Sequence, residues 1–237
     1  MKQENKKIRI VFFGTSLFAV PILKLLAKQP FVEIAAVVST PPKPAGKERK
    51  LYPSPIASEA QNTGLPIYEP KTLKNEDWVK EFTDINPDLA VLASYGKILP
   101  QPSLDVPKYG FLNVHPSLLP KYRGASPIEG AILSGDNKTG VTIMKMDTEL
   151  DHGPILAQME IELKGAERAP ELEEKLAQIG AELLVKTIPL YINGKIVPQE
   201  QKHEKATFTK LIKRDDGRVE LNLPVEEIFR RYRAFHQ

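Results

Sequence analysis

The residues that invite a chemical reading stand in two short stretches. Asn113-Val114-His115-Pro116-Ser117-Leu118-Leu119-Pro120 offers an amide and an imidazole, and Asp151-His152-Gly153-Pro154 offers a carboxylate. Asn113 and His115 are two positions apart, so on a strand their side chains share a face. An amide N–H and a protonated imidazole suit an oxyanion, and a carboxylate orients and charges the imidazole. The trio fits attack of an amine on a small carbonyl carbon. No side chain here reads as a covalent nucleophile. On its own, an Asn-x-His on a strand more often finishes a turn, its imidazole held by a backbone carbonyl. The setting favours chemistry, because in open α/β sheets ligands bind at the carboxyl ends of strands. Asp147 and Glu149 share the segment with Asp151, and spacing alone does not choose among the three.

The elements that must position these groups alternate between strand and helix. Residues 8–13, 34–38 and 89–93 read as buried parallel strands, short and rich in β-branched or aromatic residues. Residues 66–68 and 111–114 read as further strands, and 140–146 and 154–161 flank the Asp151 segment. Helices are expected over 17–28 with Ser16 as N-cap, 55–63 stopped by Gly64, 76–85, and 126–133 with Ser126 and Pro127 as cap and first residue. A long helix over 169–191 carries a stripe of Leu172, Leu176, Ile179 and Leu183. Trp78 reads as a helix-to-sheet packing residue. Residues 41–55 read as a proline-rich loop. After residue 193 the texture changes: 208–212 and 218–221 are short and mixed, and a helix over 225–235 is packed by Val225, Ile228, Phe229 and Tyr232. The alternation implies an α/β fold, a doubly wound and mostly parallel sheet with a short C-terminal linker segment.

Composition narrows the classes. The 237 residues contain no cysteine, which excludes disulfides, thiolate ligands and a thiol nucleophile and fits a reducing cytoplasm. Residues 2–7 are polar and expected to fray, with no signal peptide and no apolar run of membrane-spanning length, so no membrane partner is expected. No two histidines have metal-ligand spacing, so no metal is expected. Phe13-Gly14-Thr15 follows the first strand without a Gly-x-Gly-x-x-Gly, which argues against a dinucleotide and for a tight strand-to-helix turn. The net charge of +3 is mild. Lys43, Lys47, Arg49 and Lys50 cluster, as do Lys210, Lys213, Arg214 and Arg218, and Arg230, Arg231 and Arg233. A solvated surface is the usual meaning of such groups.

Residues 113–128, NVHPSLLPKYRGASPI, and 141–156, VTIMKMDTELDHGPIL, resemble the two signatures of the folate-dependent formyltransferases. The resemblance runs from Ile8 to Phe235 and is strongest to the methionyl-tRNA branch of that superfamily. It implies a Rossmann-like formyltransferase domain with Asn113, His115 and Asp151 as catalytic groups, Asp151 being chosen by its place before the x-Gly pair. It implies transfer of a formyl group from 10-formyltetrahydrofolate, as co-substrate, to the amino group of methionine-charged initiator tRNA. Tyr95, Gly96, Ile98 and Leu99 would line the pterin pocket with backbone groups and apolar faces, together with the turn Ser117, Leu118, Leu119 and Pro120, where a cis bond before Pro120 fits. Phe13, Gly14 and Thr15 would edge the acceptor pocket. Lys43, Lys47, Arg49 and Lys50 would lie on an insertion loop that meets the tRNA acceptor arm, with Glu48 lowering its charge. Residues 123–127 read from the sequence as mostly structural, leading into a helix, with a contact of Arg123 to an anionic substrate or the folate tail as the alternative. His152, where relatives carry a small polar residue, reads as a turn residue.

By the same resemblance, residues 1–192 form the catalytic domain of a monomeric enzyme, and 193–237 lead toward a C-terminal β-barrel that this chain does not include. The tRNA affinity is thereby in question, while the chemistry is not. Two other readings stand beside this one: a formyltransferase acting on a nucleotide-linked amino sugar or other small amine, and a folate-binding protein with little turnover.

Overall fold

The computed structural model describes residues 7–45, 48–220 and 222–236. The polar residues 2–6, Lys47 and Leu221 lie outside them. The elements run β1 (Ile8–Gly14), α1 (Ala19–Ala27), β2 (Val32–Val38), β3 (Lys43–Ala45), β4 (Lys50–Tyr52), α2 (Pro55–Thr63), β5 (Ile67–Tyr68), α3 (Glu76–Ile85) and β6 (Leu89–Ala93). They continue with α4 (Gln101–Leu104), β7 (Phe111–His115), β8 (Arg123–Gly124), α5 (Pro127–Ser134), β9 (Lys138–Lys145), β10 (Ile155–Glu162), α6 (Ala169–Ile192), β11 (Phe208–Thr209) and α7 (Val225–Phe235). Seven strands form one sheet in the order β10-β9-β7-β6-β1-β2-β5. The pairs from β7 through β6, β1 and β2 to β5 are parallel, and β9 and β10 close the other side antiparallel. This is the expected doubly wound, Rossmann-like architecture.

Period-two alternation divides the core between the two faces of the sheet. Ile10 and Phe12 of β1, with Leu112 and Val114 of β7, join side chains of α1, α2, α5 and α6 on one face. Val11, Phe13 and Phe111 join α3 and α4 on the other. Phe13 is the hub there, with Trp78, Phe82, Tyr95 and Phe111 at centroid distances of 6.3, 5.5, 5.4 and 5.2 Å. Such edge and tilted contacts add to the burial of the rings themselves. Trp78 is thus the packing residue expected of it.

Several local expectations give way to tertiary structure. Ser16 does not cap α1: the N-cap is Phe18 without a side-chain bond, and the Ser16 hydroxyl has no partner. Ser126 likewise makes no capping bond, although Pro127 opens α5. The proline-rich 41–55 stretch is not all loop, since β3 and β4 pair as an antiparallel hairpin with Lys43 opposite Tyr52. Its ends are tied by the Ser39 and Ser54 hydroxyls at 2.6 Å, and Ser54 caps α2. The buried face of α6 is Leu172, Leu176, Gly180, Leu184 and Ile188, with Ile179 and Leu183 at its margin. α7 buries Arg233 and Ala234 and leaves Val225, Phe229 and Tyr232 exposed, the reverse of the expected packing. No helix among the described residues is long and apolar enough to cross a membrane.

Candidate active site

Asn113 and His115 share the face of β7 on which Phe111 packs, opposite to Leu112 and Val114. β9 runs antiparallel to β7, with His115 opposite Thr142 and Leu112 opposite Lys145, so β9 ends at the edge away from His115. The following loop turns back across the sheet and delivers Asp151, in a left-handed conformation with φ +47°, to the strand residues. Asn113 Nδ2 donates to Asp151 Oδ1 at 3.1 Å. His115 Nδ1 stands 3.7 Å from that same oxygen. The backbone N–H of Gly124 donates to Asp151 Oδ2 at 2.8 Å. One carboxylate therefore gathers an amide, an imidazole and a loop.

His115 is fixed from its other side. Its Nε2 lies 2.9 Å from the carbonyl oxygen of Tyr122, a residue at φ +61°. A carbonyl only accepts, so Nε2 carries a proton. Nδ1 faces the Asp151 carboxylate at 3.7 Å, beyond direct hydrogen-bond length but within the range of an ion pair. The pair is sequestered, with Asn113 6 % and His115 4 % exposed. Desolvation of this kind strengthens hydrogen bonds to a developing charge. The two competing carboxylates are elsewhere: Asp147 Oδ2 holds His152 Nδ1 at 2.7 Å, and Glu149 lies 4.0 Å from His152 Nε2.

The Ser117-to-Pro120 turn is held rigidly beside the trio. Ser117 Oγ donates to the Lys121 carbonyl at 2.6 Å. Thr142, opposite His115, donates through Oγ1 to the Ser117 carbonyl at 2.6 Å and accepts from the Leu119 N–H at 3.1 Å. The Leu119–Pro120 bond is cis. Leu119 is buried and Leu118 half-buried.

The second expected pocket segment is split by burial. Tyr95 and Leu99 are 1 % and 3 % exposed and belong to the aromatic side of the core, whereas Ile98 is 79 % exposed at the strand-end rim. Burial pushes the Tyr95 hydroxyl well above its ordinary proton affinity, and that hydroxyl has no hydrogen-bond partner among the described residues. Gly96 takes φ +74°. Thr15 Oγ1 donates to the Tyr95 carbonyl at 3.1 Å, joining the turn after β1 to the 95–100 segment. Phe13 has no exposed surface, so its ring faces the core and not an acceptor. Gly14 is a packing glycine: an added Cβ would stand 2.8 Å from the Ala19 Cβ and 3.2 Å from the Ala93 carbonyl.

The basic hairpin lies beside this rim. Lys43, Arg49 and Lys50 are exposed, and Glu48 pairs with Lys50 at 2.8 Å. Burial, and then the charge of Lys43, lower the proton affinity of Lys97, so the hairpin's charge is felt at the 95–100 segment. Lys47 is outside the described residues. Arg123 corrects an expectation: it is 4 % exposed and turned inward to Gln201 and His203, not toward a ligand. Sequence reasoning missed the Tyr122 carbonyl, the Gly124 N–H, Thr142 and Gln201. Of these only position 124 carried a local sign, a glycine before a helix, and the structure gives its reason: φ is +107° and an added Cβ would meet the Thr209 carbonyl oxygen at 2.3 Å. Among the described residues no group of three or more histidine, aspartate or glutamate side chains is placed to hold a metal.

Comparison with known proteins identifies relatives in sequence and in fold. Methionyl-tRNA formyltransferase of Chloroflexus aurantiacus is 44% identical over 228 residues, covering 96% of this chain and 73% of that protein. That of Geobacillus sp. (strain WCH70) is 44% identical over 229 residues, covering 97% and 72%. Among solved structures, a sugar N-formyltransferase from Shewanella superposes with a TM-score of 0.72 at 19% identity, over 96% of this chain and 87% of that one. HypX from Aquifex aeolicus, in complex with tetrahydrofolic acid, gives 0.67 at 16%, over 97% and 34%. At such identities the structural likeness speaks to the fold. The sequence profile described as formyl transferase matches residues 6–188, and with these relatives it establishes that the chain belongs to the formyl transferase family.

Proposed function

We propose that this chain transfers a formyl group from 10-formyltetrahydrofolate to the amino group of methionyl-initiator tRNA. The observation that carries the chemistry is the single oxygen, Asp151 Oδ1, shared by Asn113 and His115. The acceptor rests on 44% identity to methionyl-tRNA formyltransferases over nearly the whole chain.

In this reading the amine nitrogen attacks the formyl carbon and the carbonyl electrons move to oxygen. Asn113 spends one amide hydrogen on Asp151 and offers its second to that oxygen. His115, acting as an imidazolium in this reading, adds positive charge beside it, and Asp151 faces the ring. As the tetrahedral centre collapses, the bond to N10 breaks, N10 takes a proton from the His115 ring, and the attacking amine returns its proton to that ring, which ends as it began. The products are a formamide and tetrahydrofolate. Ile98, with the backbone of Tyr95, Gly96 and Leu99 and the turn from Ser117 to Pro120, forms the proposed pterin wall. An exposed apolar side chain beside fixed backbone polar groups fits a flat heteroaromatic ring. Thr15 and the Gly14 turn edge the acceptor side, where the Phe13 ring supports from within. Lys43, Lys47, Arg49 and Lys50 meet acceptor phosphates. Residues 1–192 form the catalytic unit, and residues 199–209 complete its wall by bonding to 120–126 and Ile155.

The test is incubation with 10-formyltetrahydrofolate and methionyl-initiator tRNA, with uncharged tRNA and nucleotide-linked amino sugars in parallel. Formylmethionyl-tRNA with equimolar tetrahydrofolate is expected. Formylation of an amino sugar alone, or folate binding without transfer to any amine, would replace this reading.

A further inference from the structure

Asp151 reaches Asn113 and His115 from a loop that the sheet alone does not hold. Its φ of +47° lies in the left-handed region, which L side chains adopt sparingly, aspartate more readily than most, so neighbouring contacts help to hold it. Gln201, 50 positions further on, meets that need. Its Nε2 donates to the Asp151 carbonyl at 2.9 Å and to the Gly153 carbonyl at 2.7 Å. Its Oε1 accepts from Arg123 Nε at 3.2 Å and Nη2 at 2.7 Å. Every donor and acceptor site of the amide is filled, and the oxygen and nitrogen cannot be exchanged without setting donors against donors. Gln201 and Arg123 are each 4 % exposed.

The clamp is anchored at both ends. Gln199 pairs with Ile155 in both directions, N–H to carbonyl, at 2.7 and 2.8 Å. Arg123 Nη2 also lies 2.9 Å from His203 Nδ1, and the His203 ring stacks on His152 at 4.1 Å and 8°. The partners of the buried guanidinium here are a neutral amide and an imidazole, and its planar fork supplies orientation where a carboxylate would supply charge. The residue after Arg123, Gly124, is the one whose N–H holds Asp151 Oδ2. Gly124 thus holds the Asp151 side chain directly, while Arg123 reaches the Asp151 backbone only through Gln201.

We propose that Gln201, locked by Arg123, is a positioning residue for formyl transfer: it fixes the backbone of residues 151–153 so that the Asp151 carboxylate stands between Asn113 and His115. This rests on the catalytic role proposed above for Asp151. Displacing a catalytic group by about 1 Å costs on the order of a hundredfold in rate.

The experiment compares steady-state formyl transfer by Gln201→Ala, Gln201→Glu and Asp151→Ala with wild type, each at least about 10 °C below its own Tm. Gln201→Glu keeps and strengthens the Arg123 contact but loses both donors to the loop carbonyls. Both Gln201 variants are expected to lose about tenfold or more in kcat, with KM for folate and acceptor within about threefold of wild type. A purely structural role predicts that Gln201→Glu, still paired with Arg123, keeps wild-type kcat, and that result overturns the proposal. So does a Gln201→Ala loss that tracks its folded fraction. If Gln201→Ala does not fold, Gln201→Glu decides. Full activity in Asp151→Ala sinks the catalytic reading itself; an inactive Asp151→Ala beside fully active Gln201 variants sinks only the positioning role.

Discussion

His115 Nε2 lies 2.9 Å from the backbone carbonyl oxygen of Tyr122, and this contact decides how the ring is used. The acceptor cannot give a proton, so the tautomer is set by the chain and not by the ligand. Nitrogen NMR of the protein labelled at histidine is expected to show Nε2 of His115 protonated in the ligand-free state, and still so in Asp151→Asn. A ring whose Nε2 lacks a proton would place the Tyr122 contact, and with it the assigned orientation, in error.

Glu129 gives a pH-dependent prediction. It sits in the first turn of α5, half-buried, and burial first, then the nearby charge of Glu173, raise its proton affinity above the ordinary carboxylate range. Glu173 is raised too, mainly by burial. A carboxyl whose folded-state value lies above its unfolded one contributes its full stability at pH below the unfolded value. That contribution is lost as pH rises through the folded value. Glu129→Gln, neutral at every pH, should therefore raise Tm at pH 7. The advantage should shrink as pH falls and vanish below about pH 4. Thermal melts of both proteins from pH 8 to pH 4 measure it, and a pH-independent difference would contradict the assigned cause.

What the sequence made legible was whatever local pattern could encode. β1 and β6 announced themselves by short apolar runs, α2 by Pro55 and Gly64, and the placement of Asn113 and His115 on one face by their spacing. The Asp151 partner needed the family motif, because a loop that folds back across a sheet leaves no periodic trace. Gln201 and Arg123 are 78 positions apart, and nothing near either residue hints at the other. α7 misled for a related reason: its apolar residues lie at helical spacing, yet Val225, Phe229 and Tyr232 face outward while Arg233 is buried, with Nη1 donating to the Glu167 carbonyl. Periodicity reports an amphipathic helix but not which of its faces the rest of the chain will cover.

The hairpin of β3 and β4 carries the acceptor prediction. Lys43 and Arg49 are exposed, and Lys50 is partly neutralised by Glu48. Each phosphate contact removed lowers the slope of log affinity against log salt by about 0.7–0.9. Replacing Lys43, Arg49 and Lys50 with glutamine should raise KM for tRNA and flatten its salt dependence, with folate KM unchanged. Fluorescence or kinetic titration from low to high salt reads both, and unaltered tRNA kinetics would remove the hairpin from the acceptor interface.

The central claim is that Asn113, His115 and Asp151 act as one unit on one carbon, and a double-mutant cycle tests it most directly. Single-turnover formyl transfer would be timed for Asn113→Ala, Asp151→Asn and the double variant, with folate and acceptor saturating. Each single change should cost about a hundredfold or more. The double should fall no more than about tenfold below the slower single, because groups that work together cannot be lost twice. A double variant slowed by the full product of the two losses, or either single variant within tenfold of wild type, would contradict the account.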